Sequence, residues 1–166
     1  MKSEFVERDK VEKVLEMVSP KVQLICKVAI TTGLRIGDVV QIKSYQIAKS
    51  NRITVRQQKT NKSRRVYIRR DLLHDMRGIA GETWVFTGRN PKKHFTRQGV
   101  WKAIKKAARD NGYKENISPH TFRKFYAVNL MRKGFDLKYV SKRLGHSSEF
   151  VTMIYALADI LSKKSS

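Results

Sequence analysis

Four stretches of the chain carry residues whose types and spacing could grip a phosphate or move a proton. In His120-Thr121-Phe122-Arg123 the histidine and arginine stand three positions apart, so on a helix they share one face. Ser118-Pro119 just before them reads as a helix start, where free N–H groups and the positive end of the helix dipole suit an anion. The pair would make a phosphate clamp, although a strongly basic surface presents such pairs too. In Thr32-Gly33-Leu34-Arg35-Ile36-Gly37-Asp38 an arginine follows a helix-ending glycine, between apolar residues that tie its backbone to the core. Asp38 is spaced to hold that guanidinium through paired hydrogen bonds; the plainer alternative is an exposed ion pair of little energetic weight. Lys59, Lys62, Arg64 and Arg65 crowd a turn, where a lysine can reach a scissile phosphate or simply bind phosphates without chemistry. Finally, Leu144-Gly145-His146-Ser147-Ser148 is followed, nine residues after the histidine, by Tyr155. On one unbroken helix those two side chains would fall on opposite faces, but Gly145 and the serines predict a break that lets them converge. Tyr126 and Tyr139 are rival reactive tyrosines; both fall within helical patterns whose apolar faces call for large residues, so core packing suits them better. Core packing is the alternative for Tyr155 as well.

The elements that must position these groups are mostly helical. Val11, Val14, Leu15 and Val18 recur at helical spacing and predict a helix over about residues 8–18. Ser19-Pro20 caps a second, largely buried helix through Leu24, Ile25, Val28, Ala29 and Ile30, stopped near Gly33. A short helical stretch is expected over residues 38–43. The texture changes at Arg52: Ile53-Thr54-Val55 and Val66-Tyr67-Ile68 read as strands joined by the polar turn Lys59-Thr60-Asn61-Lys62-Ser63. Residues 71–79 read as helix and Trp84-Val85-Phe86 as a third, short strand. Thr96 caps a helix carrying Val100, Ala103, Ile104 and Ala107, closed by Gly112. Ser118-Pro119 opens another that ends at Gly134, and Asp136 caps one that Gly145 stops. Residues 149–161 are expected to be helical and 162–166 a loose tail.

Bulk properties bound the partners. The 166 residues suffice for one domain with one sizeable core, and no repeat or linker divides them. Lys and Arg total 36 against 14 Asp and Glu, a net charge of +22 that a compact domain tolerates best beside a polyanion. Nucleic acid is the expected one, through release of phosphate counterions; a ribosomal-type protein or a merely basic surface would have the same composition. The single cysteine, Cys26, excludes a disulfide framework and a multi-cysteine zinc site, and with no signal peptide or apolar span it indicates a reducing, cytoplasmic setting without membrane contact.

Taken singly, each motif is unspecific. In order, TGLRIGD with Arg35, QKTNKSRRVYI with its lysine, HTFR with His120 and Arg123, LGH with His146, and Tyr155 resemble the active-site signature of the tyrosine recombinase (phage integrase) family over residues 32–155. The resemblance implies the family's catalytic-domain fold, mainly α with a small antiparallel β-sheet (α+β), occupying residues 1–166 as a single catalytic domain. It implies cleavage and rejoining of double-stranded DNA through a 3′-phosphotyrosine, with no metal or nucleotide cofactor. Tyr155 would be the nucleophile, His120 the proton acceptor, Arg35 and Arg123 the ligands of the nonbridging oxygens, His146 a further hydrogen-bond donor, and Lys59, preferred to Lys62, the general acid. Lys62, Arg64, Arg65, Arg97 and Lys124 would contact DNA. Partners would be duplex DNA and further protomers in a tetrameric synapse, weakly associated or monomeric without DNA.

The sequence departs from the family pattern in places. Lys124 stands where many relatives have histidine, and Asp38 where many have the longer glutamate. Nothing corresponds to the N-terminal helical domain that closes the family's DNA clamp, so a half-clamp with steeply salt-dependent binding is expected. Residues 156–161 form a short candidate for contact with a neighbouring protomer. Two other readings stay open at this point: a type IB topoisomerase-like enzyme, using the same chemistry without site choice, and a DNA-binding protein that keeps the fold without catalysis.

Overall fold

The computed structural model describes Val6 and residues 8–145. His146, Tyr155, the helix expected over 149–161 and the tail at 162–166 lie outside the described residues.

Helix α1 (Arg8–Glu16) buries Val11, Val14 and Leu15. It stops short of Val18 because Ser19 must turn extended (φ −58°, ψ 151°) ahead of Pro20. Helix α2 (Pro20–Thr32) starts with the Ser19 hydroxyl accepting from the Val22 N–H at 3.4 Å. It buries residues over about half of its circumference, among them Leu24, Ile25, Cys26, Val28 and Ala29, and packs against α1, α3 (Ile36–Val39), α5 (Arg70–Ile79) and α7 (Pro119–Arg132). Each fully buried Ile or Val on it contributes about 1.5–3 kcal/mol, so α2 is the axis on which the other helices are hung.

The short helix expected over 38–43 forms earlier, as α3, because Ile36 and Val39 can both reach the core only if the chain coils directly after Leu34. A further helix, α4 (Ser44–Ala48), was not expected; its one buried residue, Ile47, leaves no periodic apolar signal. Strands β1 (Arg52–Arg56) and β2 (Ser63–Tyr67) pair antiparallel, with Ile53 opposite Val66 and Val55 opposite Arg64 on the inward face. Trp84-Val85-Phe86 does not make a third strand. The segment is extended but divides its pairing between two partners: the Val85 N–H donates to the Ile42 carbonyl at 3.1 Å, and the Phe86 carbonyl accepts from Phe95 at 2.6 Å. The sheet therefore has two strands.

Helix α6 (Arg97–Asp110) is capped by Thr96, whose hydroxyl accepts from the Gly99 N–H at 2.9 Å, and buries Val100 and Ile104. Helix α7 is opened by the Ser118–Thr121 capping box, and α8 (Leu137–Leu144) by Asp136, which accepts from the Tyr139 N–H at 2.7 Å. One continuous core joins α1 to α7 and the hairpin, and a small second cluster of Tyr126, Ala127, Val140 and Leu144 fastens α8 to α7. Tyr126 is buried as expected. Tyr139 is not: it is 39% exposed and stacks on Phe135 at 4.5 Å, because α8 turns its core face through Val140 and Leu144 instead.

The junction between α2 and α7 is tight at Gly33. It has φ +70°, and a Cβ there would lie 2.5 Å from the Tyr126 ring. Gly33→Ala should therefore combine backbone strain with overpacking and lower stability by about 2–4 kcal/mol. Urea unfolding checks this; a midpoint equal to that of the parent protein would contradict it.

Candidate active site

The left-handed turn at Gly33 throws the chain off the end of α2 and straight into α3. Leu34 and Ile36 are both buried, so the backbone on either side of Arg35 is anchored while its side chain is left half-buried at the mouth of a cleft. On α7, Arg123 is only 2% exposed. Its Nη1 donates to the Gly33 carbonyl at 3.0 Å and its Nη2 to the Leu144 carbonyl at 2.5 Å. These acceptors stand at the C-terminal ends of α2 and α8, where helix carbonyls carry partial negative charge and lack intrahelical donors. Among the described residues, this buried guanidinium is thus held by two helix ends. His120, one turn earlier on α7, is exposed.

The hairpin supplies the opposite wall. Its loop closes through the Gln57 N–H on the Lys62 carbonyl (2.9 Å) and the Asn61 N–H on the Gln57 carbonyl (2.8 Å). Asn61 takes φ 55°, a conformation asparagine tolerates better than most residues. Lys59 stands exposed at the tip.

Arg35, Lys59, His120 and Arg123 line one open cleft of about 350 Å³, together with Ile36, Gly37, Asp38, Gln58, Arg97 and Pro119. Four of the six expected catalytic residues are thereby brought together from three separated segments; His146 and Tyr155 lie outside the described residues. Of the two candidate lysines, Lys59 lines the cleft and Lys62 is exposed elsewhere on the same loop.

Asp38 departs from expectation. It does not hydrogen-bond Arg35. With α3 starting at Ile36, its carboxylate is buried at 2% exposure and Oδ1 accepts from the Gln58 N–H at 3.1 Å, next to Lys59. Oδ2 has no hydrogen-bond partner among the described residues. Burial holds the carboxyl above its ordinary range, against the opposing pull of the Gln58 N–H and of Arg35, Arg123 and Arg64. Asp38 thus ties the hairpin tip to α3 and reaches Arg35 only through its field.

The residues expected on DNA divide. Arg97, the first residue of α6, is exposed and lines the same cleft. Lys62 and Arg65 are exposed on the hairpin. Lys124 is half-buried and lines a separate small pocket with Val6, Thr121, Phe125 and Val128. Arg64 is the correction: it is turned inward because position 64 shares the inner face of β2 with Val66. Its Nη2 donates to the Thr32 carbonyl at 2.6 Å and its Nη1 contacts the Gly33 carbonyl at 3.4 Å, over the Tyr126 ring. Sequence reasoning also missed Gly37 and Gln58 as walls of the cleft; their adjacency to Asp38 and Lys59 was the available signal.

Among the described residues, positive charge accumulates here with Asp38 as the one carboxylate lining the cleft. Burial, and then the charges of Arg35 and Arg64, push the Arg123 guanidinium down to about 9, only partly offset by Asp38 and Tyr126. Among the described residues, no group of three or more His, Cys, Asp or Glu is arranged to hold a metal ion, and no helix is long and apolar enough to cross a membrane.

Residues 4–160 match the model of the phage integrase family. The chain belongs to this family. As a family member it is 28% identical over 148 residues to tyrosine recombinase XerD of Rhizobium meliloti (strain 1021), a match covering 84% of this chain and 48% of that relative. Its fold is similar to the crystal structure of XerA recombinase (TM-score 0.73, 19% identity, 98% of this chain and 65% of that one). It is similar also to a lambda integrase(75-356) dimer bound to a COC′ core site (TM-score 0.69, 20% identity, 90% and 58%). The integrase-family chain spans about half the length of the curated relatives it matches.

A cleft with this electrostatic deficit should take up a tetrahedral dianion. At pH 7, inorganic phosphate should raise the melting temperature more than chloride at equal ionic strength, and Arg123→Gln should remove most of that increment. The linkage sign is set by Arg123: with its folded pKa near 9 and below the unfolded value, its charged form is disfavoured in the fold. The destabilisation is therefore fully present below that pH and diminishes as pH rises through it. Arg123 therefore stays charged from pH 6 to 8, and over that range the increment should rise only as phosphate gains its second negative charge. An increment unchanged in Arg123→Gln would contradict the assignment.

Proposed function

We propose that this chain is the catalytic part of a site-specific DNA recombinase that breaks and rejoins strands through a 3′-phosphotyrosine at Tyr155. The observation that supports it most directly is the convergence of Arg35, Lys59, His120 and Arg123 on one cleft. Membership of the phage integrase family supports the same reading.

In this reading the Tyr155 phenol oxygen attacks the scissile phosphorus, and His120 accepts the phenolic proton, which an ordinary pKa of about 10 would otherwise retain. Arg35 and Arg123 hold the two nonbridging oxygens as charge builds on them, with His146 as a further donor. Because Arg123 is already fixed by two helix ends, it needs no reorganisation as the phosphorane-like state forms. The bond from phosphorus to the 5′-oxygen breaks as Lys59 donates its proton to that oxygen. The phosphotyrosine conserves the phosphodiester energy, so a 5′-hydroxyl can reverse each step and reseal the strand. The cations and histidines carry the charge that a metal supplies in other phosphoryl transfers, and no cofactor is required.

Arg97 at the cleft rim, and Lys62 and Arg65 on the hairpin, are suited to flanking phosphates, with Lys124 a more remote contact. The +22 charge supports duplex DNA as partner. The lambda integrase dimer on its core site supports assembly of several protomers on DNA, here as a tetrameric synapse with residues 156–161 reaching a neighbour, in the cytoplasm.

The test is a suicide substrate, nicked near the cleavage position so that the released fragment diffuses away. Wild-type protein should accumulate a covalent adduct mapping to Tyr155, and Tyr155→Phe should form none. Lys59→Ala should slow adduct formation by about 10²–10⁴-fold. An adduct that persists in Tyr155→Phe would overturn the proposal.

A further inference from the structure

Arg64 has no place in the chemistry above, yet it lies half-buried in the middle of the constellation. It stands opposite Val55, one rung from the loop end of the ladder and five residues beyond Lys59 across the loop. Its guanidinium leaves the sheet altogether and lands on the last carbonyls of α2, at Thr32 (2.6 Å) and Gly33 (3.4 Å). The Gly33 carbonyl is also the acceptor of Arg123 (3.0 Å). One oxygen therefore serves both the hairpin that carries Lys59 and the arginine that grips the phosphate. The Tyr126 ring, 5.9 Å from the Arg64 guanidinium carbon, packs beneath it and against Gly33. Close to the tip, the other tie between hairpin and body is the Gln58 N–H on Asp38 (3.1 Å).

We infer that Arg64 is a positioning residue for Lys59: it clips the hairpin to the end of α2 and so fixes the lysine's distance from the phosphate that Arg123 holds. The inference rests on the function proposed above. A flexible lysine on a loop tip loses much of its efficiency as a proton donor when its loop is free to swing, so an Arg64 defect should be a general-acid defect.

That distinction can be read chemically. Replacing the bridging 5′-oxygen of the scissile phosphate by sulfur makes the leaving group a thiolate, whose conjugate acid has a pKa of about 8.5 and which needs no proton to depart. On an all-oxygen suicide substrate, Arg64→Met should cleave roughly 10–100-fold more slowly. On the 5′-thio substrate it should be within about threefold of wild type, the pattern Lys59→Ala should also show. In a Lys59→Ala background Arg64→Met should add little further loss, as expected of two residues acting through one step. Arg64→Lys, which keeps a charged donor toward Thr32, should recover part of the oxygen-substrate rate, and it replaces the methionine variant if that one does not fold.

Equal slowing on both substrates, additive loss with Lys59→Ala, or a reduced salt dependence of DNA binding marking Arg64 as a direct phosphate ligand, would each overturn the inference. Tyr155→Phe run alongside should be inactive on both substrates; cleavage by that variant would remove the proposed function itself, and this inference with it.

Discussion

The carbonyl groups at the C-terminal end of α2 bear the geometry of the whole cleft. They are unpaired by the helix itself and carry its partial negative charge. Gly33, in the left-handed conformation, turns the chain so that its carbonyl faces both α7 and the hairpin. Arg123 arrives from α7 and Arg64 from β2, and Arg123 continues to the end of α8 at Leu144. Arg35 leaves the same turn two residues later. A glycine, forced by the nearness of Tyr126 and by its own φ, is thus the point from which the positions of the cationic groups are measured.

The same arrangement stores an electrostatic mismatch. Among the described residues, Asp38 is the one acid lining the cleft beside Arg35, Arg97 and Arg123, and it is committed to the Gln58 N–H at the hairpin tip. The lowered proton affinity of Arg123 reflects its burial first, and then the repulsion of Arg35 and Arg64 that remains. A phosphodiester in the cleft would relieve it, and the pentacoordinate state, with more charge on its nonbridging oxygens, would relieve it further. Groups held in place before the anion arrives stabilise developing charge without the reorganisation that water would need. Stability given up in the free protein and affinity for the transition state are then two aspects of one charge distribution.

Much of this was legible before any coordinates. Helix starts were explicit in Ser19-Pro20, Thr96, Ser118-Pro119 and Asp136, since a cap is a local hydrogen bond between near neighbours. Gly33, Gly134 and Gly145 marked stops for the same reason. The grouping of Arg35, a hairpin lysine, His120 and Arg123 followed from their order and from family resemblance, not from periodicity. What could not be read depended on contacts between distant segments. The choice of Gln58 over Arg35 as the partner of Asp38 is made by where the hairpin docks. The inward turn of Arg64 is invisible in a run of four basic residues within seven positions, because only the strand register puts position 64 beside Val66. Tyr139 misled because an apolar helical pattern states that a face is buried, not which of its large residues is left at the margin. The extended Trp84-Val85-Phe86 segment has strand-like composition, but pairing is decided by the partners that folding brings alongside.

The central claim is that Arg35 and Arg123 are organised around one particular phosphate. It is tested most directly by pairing Arg123→Ala with a DNA site whose scissile phosphate alone is replaced by an uncharged methylphosphonate, and measuring equilibrium binding for all four combinations. The account predicts strong coupling: loss of the arginine weakens binding to the charged site and has little effect on the neutral one. If the two changes were simply additive, Arg123 would not be holding that phosphate, and the cleft would have been assigned to the wrong ligand.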